Sequence, residues 1–268
     1  MKAGTVAIIL CGASLALYTE TGWTQEPLPD RFSLSLGAYY IEDSDTEVKI
    51  RSATGVVGTS INLSKDLDTE ERVNGPKVVG FYRFNPRHRI DFSWFKLDRD
   101  GRRTIGRSLQ FGNITYNASA QVDSSVKTEL WKLLYTWSFY RSDKVELGLS
   151  GGLYKLDYEL DLRSSVGNSQ SASLSQPLPV VGFRMDYAIT PKWHASLDLE
   201  NFYVELNDDF RGSAYDISAG VDYRALKNVS FGLKANRLAI DAASDSEDWR
   251  GSLTDLYRGF YAYVGLHY

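Results

Sequence analysis

Acid–base catalysis near neutral pH usually runs through a histidine, and this 268-residue chain has three: His88, His194 and His267. His88 follows Asn85-Pro86-Arg87, His194 follows Thr190-Pro191-Lys192, and His267 is the penultimate residue. None has a nucleophile at motif spacing: no G-x-S-x-G elbow and no H-E-x-x-H occurs. The single cysteine, Cys11, leaves no thiol set for zinc or for a disulfide. Carboxylate pairs exist at Asp208-Asp209 and Asp245/Glu247/Asp248, within polar stretches where solvated charge is the ordinary role. These residues give no catalytic constellation, and the expectation is a non-enzyme without metal or cofactor.

The other chemistry-bearing residues are charges spaced two apart. Arg83, Arg89, Lys132, Arg184, Arg224 and Lys234 sit among Asp91, Glu146, Asp186, Asp198, Glu200, Asp216 and Asp222. Each shares a parity with Ser, Gly or Tyr, while the opposite parity is apolar. Trp131, Leu133, Tyr135, Trp137 and Phe139 alternate with Lys132, Leu134, Thr136, Ser138 and Tyr140. Val181, Phe183, Met185, Tyr187 and Ile189 alternate with Gly182, Arg184, Asp186 and Ala188, and residues 215–224 and 257–268 repeat the pattern. Period two means strands with one polar and one apolar face.

A soluble sandwich or lipocalin-like barrel would also alternate. Two features favour a membrane barrel. The segments have about 9–11 residues, enough to cross a bilayer at a barrel tilt. Their connections also alternate in length: tight turns at 85–87, 142–143, 190–192 and 226–228, longer polar stretches at 42–75, 97–128, 163–176, 206–212 and 241–253. Short turns at one rim and long loops at the other describe a closed outer-membrane barrel. Strands are expected near 32–41, 76–84, 88–97, 129–140, 144–156, 177–189, 193–205, 212–224, 229–240 and 255–268, ten in all. Residues 46–64 and 102–127 are taken as hairpins beyond the membrane; counting them otherwise gives eight or twelve strands. Beyond Tyr154 the charges move to Asp157, Glu159, Asp161 and Arg163, so that strand either has a bulge at Tyr154-Lys155 or leaves the membrane there.

A basic start and an uncharged run from Ala3 to Thr19 make residues 1–24 a secretory signal, with Gly22-Trp23-Thr24 as a small-x-small cleavage site and 25–268 as the barrel domain. Cys11 would leave with it. A net charge of -4, from 30 basic and 34 acidic side chains, gives no basic excess for nucleic acid. Mean hydropathy of -0.30 excludes a helical membrane bundle.

The segments GFYRFNPRHRIDFSWF (80–95), LLYTWSFYRSDKVELGLSGGLY (133–154) and FYAYVGLHY (260–268) resemble the small Gram-negative outer-membrane β-barrels of the OmpA/OmpW-like group. In such chains the last strand is read by the barrel assembly machinery. That resemblance implies an assembly signature at Phe260, Val264, Leu266 and Tyr268, with Ala262 smaller than usual. It implies an outer-membrane location among lipid and lipopolysaccharide, and a monomer by default. Trp131, Trp137, Phe139, Tyr187, Trp193, Tyr223 and Tyr268 are expected in interfacial girdles. In outer-membrane barrel enzymes the histidine lies in the outer half, whereas these three would lie at the periplasmic rim.

With the polar phase inward, the lumen would hold six basic against seven acidic side chains. Buried unpaired charge is costly, so these should pair. A narrow ion-paired lumen implies a structural role or a small-solute channel. The stretches 42–75 and 97–128, with Val56, Val57, Ile61 and Leu63, offer surface binding or adhesion as the alternative.

Overall fold

A computed structural model describes residues 30–206, 210–246 and 249–268. The signal expected at 1–24 lies outside the described residues, as do Asp208, Asp209, Glu247 and Asp248.

Ten long strands form one sheet: β1 (Phe32–Ile50), β3 (Val73–Asn85), β4 (His88–Thr104), β7 (Gln121–Arg141), β8 (Val145–Ser164), β9 (Ser169–Ala188), β10 (Trp193–Leu206), β11 (Phe210–Leu226), β12 (Val229–Asp245) and β13 (Arg250–His267). All neighbours are antiparallel, and β13 pairs with β1 from Ser33–His267 to Ile50–Gly251, closing the barrel. Backbone bonds from Arg31 N–H (2.6 Å) and Phe32 N–H (2.9 Å) to the Tyr268 carbonyl hold both ends at the short-turn rim. The four tight turns stand where the sequence puts them.

The outer rim differs. The stretches 163–176 and 241–253, expected as loops, are mostly strand, and β1, β4 and β7 also run on into 42–50, 97–104 and 121–128. The alternation never stopped there; only its polarity inverted. On β8, Glu146, Gly148, Ser150 and Gly152 face inward, and the same parity continues with Tyr154, Leu156, Tyr158, Leu160 and Leu162. The β8–β9 register is unbroken throughout, so no bulge exists at Tyr154-Lys155. The strand leaves the membrane, water replaces lipid outside, and the charged residues point out while the apolar ones turn in. A bulge does occur on β1, between Ile41 and Asp43, where its inward phase passes from Tyr39 and Ile41 to Ser44 and Thr46.

The segment 46–64 is not a free hairpin, because its first part is β1. Its remainder forms β2 (Ile61–Asn62) and α1 (Leu63–Leu67), which cross the outer mouth together with β5 (Leu109–Phe111) and β6 (Ile114–Tyr116). Asn62 caps α1 by accepting the Lys65 N–H at 3.0 Å. Ile61, Leu63, Leu67, Leu109, Phe111 and Tyr116 are all buried, so these elements form a lid.

The outer face of the membrane half is apolar. On β7 it runs from Trp131 to Phe139, which at about 3.3 Å per residue and a tilt of about 40° spans ~20 Å. Leu133 is 60% exposed, Leu153 54% and Leu233 50%, an arrangement stable only against lipid. Lys96, Glu129, Lys155, Arg237 and Arg258 end this belt at its outer margin. Trp94 and Trp131, 5.7 Å apart, both donate their indole N–H to Glu129 there (2.7 and 2.8 Å). At the inner margin Trp193 packs on Tyr223 at 5.0 Å, and His88 stacks between Phe84 and Tyr135. Trp137, Phe139 and Tyr268 are exposed on the same face.

Candidate functional site

The interior divides into two storeys because the two halves of the wall stand in different solvents. In the membrane half, the polar parity must face inward, and it lines a cavity of about 190 Å³. All thirteen charged residues singled out from the sequence line it: Arg83, Arg89, Asp91, Lys132, Glu146, Arg184, Asp186, Asp198, Glu200, Asp216, Asp222, Arg224 and Lys234. Asp30, His194 and His267 also line it, placing its mouth at the short-turn rim.

The charges pair around the ring. Arg83 grips Glu146 with both terminal nitrogens, at 2.9 and 3.1 Å, and Ser138 donates to the same carboxylate. Arg89 reaches Asp91 at 3.1 Å and Asp186 at 3.5 Å. Arg184 is shared among Asp186 (2.9 Å), Asp198 (2.9 Å) and Asp91 (3.8 Å), and Lys234 adds a contact to Asp198 at 3.4 Å. Higher up, Lys132 joins Glu200 at 2.9 Å and also contacts Asp216, while Tyr154 donates to Glu200. Asn236 donates to Asp216 and accepts from the Tyr39 hydroxyl. Arg224 contacts Asp30, which lies 3.0 Å from His267. Asp222 has a different partner, the Tyr263 hydroxyl at 2.6 Å. That ring needs the space left by Gly232, whose Cβ would stand 2.2 Å from Tyr263 Cζ.

Lys77 and Asp30 line the cavity as well, although the sequence reading did not include them. Lys77 has the parity of Val79, Phe81 and Arg83, which is signal enough to place it inside. Its ammonium lies 4.1 Å above the Tyr39 ring and 5.5 Å from the Tyr261 ring. Of the histidines, His194 and His267 line the inner mouth while His88 faces outward.

In the outer half the interior is a close-packed apolar core. Leu130, Leu156, Leu160, Leu174, Ile240 and Leu253 are each at most 2% exposed, and the lid closes over them. Within it lies a second polar group, in which Arg99, Ser44 and Thr46 come from stretches expected as loops and Asp255 and Tyr257 from the expected last strand. Arg99 donates to Ser44 (2.9 Å), Thr46 (3.0 Å) and the Tyr257 hydroxyl (3.2 Å). Thr46 also donates to Asp255 at 2.6 Å, but the Arg99–Asp255 separation is 3.9 Å. Burial pushes the Asp255 carboxyl above the usual carboxylate range, because Arg99 at that distance offsets only part of the desolvation. The native state therefore takes up a proton that the unfolded chain takes up only at lower pH. Stability from this group rises as pH falls through the native value and is complete near 3.8. Thermal melts of the native chain and Asp255→Asn from pH 7 to pH 4 should show the difference moving in favour of the native chain as pH falls. A pH-independent difference would mean that Asp255 is not held this way.

No protein-family model matches the chain, and no curated protein matches it in sequence. Among solved structures it is similar to the outer-membrane protease OmpT of Escherichia coli, with a TM-score of 0.56 at 9% identity over 91% of this chain and 99% of that one. An outer-membrane channel of Pseudomonas putida F1 gives a TM-score of 0.40 at 9% identity (93% and 100% covered). The attachment invasion locus protein Ail of Yersinia pestis gives 0.38 at 14% identity (87% and 97% covered). The first likeness shows a shared fold; the other two superpose too loosely to add to it. A closed ten-stranded antiparallel barrel wearing a lipid belt is an integral protein of the bacterial outer membrane.

Proposed function

We propose that this barrel is closed to solutes, with a structural and surface-presenting role rather than that of a diffusion channel. The observation that carries this reading is the apolar core of the outer half. A water-filled path from the polar cavity would have to cross several layers of buried leucine, isoleucine and aromatic side chains and then the lid. The ion-paired cavity is then a well facing the periplasm, and its charges hold the strands in register around the ring.

Protein refolded into planar bilayers should give no discrete conductance steps at neutral pH. Steps of reproducible size, lost on heating the same preparation, would overturn the closed reading and favour a small-solute channel. Catalysis has no part in this proposal. Incubation with phospholipid, lipid A and a basic peptide should leave all three intact.

The surface role has its own motive. Val56 and Val57, at the tip of 51–60, are 53% and 63% exposed, whereas Ile61 and Leu63 from the same stretch are buried in the lid. Two adjacent exposed valines at that tip suit contact with an apolar partner outside the cell. Outer-leaflet lipopolysaccharide would meet Lys96, Lys155, Arg237 and Arg258 at the belt margin. Phe260, Val264 and Leu266, outward on β13, and Tyr268 just past its end would be offered to the assembly machinery before closure.

A further inference from the structure

Two charges in the cavity wall have no counter-ion. Every other lysine, arginine and carboxylate lining it stands at ion-pair distance from an opposite charge. The exceptions among the described residues are Lys77 and Asp222. Lys77 is 9% exposed, and its ammonium makes no hydrogen bond to any described residue. Its partners are rings: Tyr39 at 4.1 Å, Phe95 at 5.4 Å and Tyr261 at 5.5 Å. Asp216 and Glu200 act on it from beyond ion-pair distance, and both are already held by Lys132. Asp222 accepts from the Tyr263 hydroxyl at 2.6 Å and meets no cation. An aromatic face and a neutral hydroxyl ease a charge without cancelling it. Since uncompensated charge away from bulk water is costly, each position favours an incoming group of opposite sign.

One row of the sheet places both. Lys77 on β3 pairs with Gly37 on β1, and Gly37 with Tyr263 on β13. Tyr263 pairs in turn with Gly232 on β12, and Gly232 with Asp222 on β11. Register therefore sets the two charges on one line, four strands apart round the wall. Because barrel strands tilt by about 35–45°, such a row changes depth as it runs round. Asp222 lies opposite His194 at the mouth, whereas Lys77 reaches up to Tyr39 and Phe95 in the buried core. The acid is shallow and the ammonium deep.

The row puts one side chain between them, because two of its three intervening residues are glycines. That side chain is Tyr263, whose ring lies over Gly232 and stacks on Tyr261 at 4.5 Å. Both rings line the cavity, so an apolar surface separates the two charges.

We infer that the well binds a small zwitterion from the periplasm, of the ω-amino-acid kind. Its carboxylate would meet Lys77 at the closed end, its ammonium Asp222 near the mouth, and its methylene chain the two tyrosine rings. A simple anion would leave Asp222 uncompensated, and a simple amine would leave Lys77 so. A cavity of about 190 Å³ holds roughly six non-hydrogen atoms at ~30 Å³ each, which suits a short chain and excludes a lipid. A few precisely placed polar groups on an otherwise pre-formed wall are what fix a small ligand's orientation. This goes beyond the closed-barrel proposal, which concerns passage and not occupancy, and bilayer conductance tests that reading separately.

The test is calorimetric titration of the full chain in lipid nanodiscs with glycine, γ-aminobutyrate and 5-aminovalerate, and with pentanoate and pentylamine as one-charged controls. The two longer zwitterions should bind about tenfold or more tightly than glycine or either control, since each control gives up one charged contact. Lys77→Met should bring 5-aminovalerate down to the level of pentylamine, and Asp222→Asn down to that of pentanoate. Neither variant breaks an ion pair, so both should fold; if one does not, the other and the five probes on the native chain still decide. No binding of either longer zwitterion would overturn the inference. So would pentanoate binding as tightly as 5-aminovalerate, which would mean an anion site alone, and so would affinity that survives both substitutions.

Discussion

Replacing Arg184 by methionine should destabilise the barrel by about 3–5 kcal/mol, the range for removing one partner of a buried ionic group. Three carboxylates, Asp186, Asp198 and Asp91, share this guanidinium at 2.9, 2.9 and 3.8 Å. Arg89 also reaches Asp91 at 3.1 Å and Asp186 at 3.5 Å, and Lys234 reaches Asp198 at 3.4 Å, but neither stands at the centre of the cluster. Three negative groups within one narrow ring would then repel each other across β4, β9 and β10. Urea unfolding in vesicles measures the loss. Adding Asp198→Asn to the variant should restore part of it, since fewer charges are left uncompensated. A loss below about 1 kcal/mol would mean that cavity water solvates the acids as well as Arg184 does.

Trp249→Ala should cost a comparable amount, about 3–5 kcal/mol, for a different reason. Trp249 is fully buried at the end of the β12–β13 connection, edge-on to Tyr158 at 5.8 Å. Its loss opens a cavity in the part of the interior that is sealed by packing alone. Its indole N–H has no hydrogen-bond partner among the described residues, so Trp249→Phe gives up apolar volume but no bond and should cost under about 1.5 kcal/mol. Unfolding midpoints of the two variants, side by side, decide it. Equal losses would show that the indole N–H is bonded after all. Together the two sites separate what holds each storey: charge pairing inside the lipid belt, close packing above it.

Parity carried most of the fold into view. Because side chains alternate strictly along a strand, Lys132 among Trp131 and Leu133 is enough to point it inward once a lipid-facing stripe is recognised, and Arg184 and Asp216 follow by the same rule. The extension above the membrane was hidden by the same logic. Leu156, Leu160 and Leu162 alternate as well as any membrane strand, yet with charged residues on the outward face they match a polar loop when apolar-out is the template sought. Arg99 was lost for that reason, and with Ser44, Thr46, Asp255 and Tyr257 it forms a buried group no loop would contain. Lys77 was legible by parity alone, which it shares with Val79, Phe81 and Arg83.

The amino-acid sequence alone determined the alternation, the placement of the tight turns, and the residues on each face, because these depend on local geometry and on which surface must meet lipid. What only the tertiary structure decided is which distant residues meet. Arg83 finds Glu146 three strands on, and Tyr39 finds Asn236 across the closed barrel. Those meetings are set by register and closure, properties of the whole ring that no single strand contains.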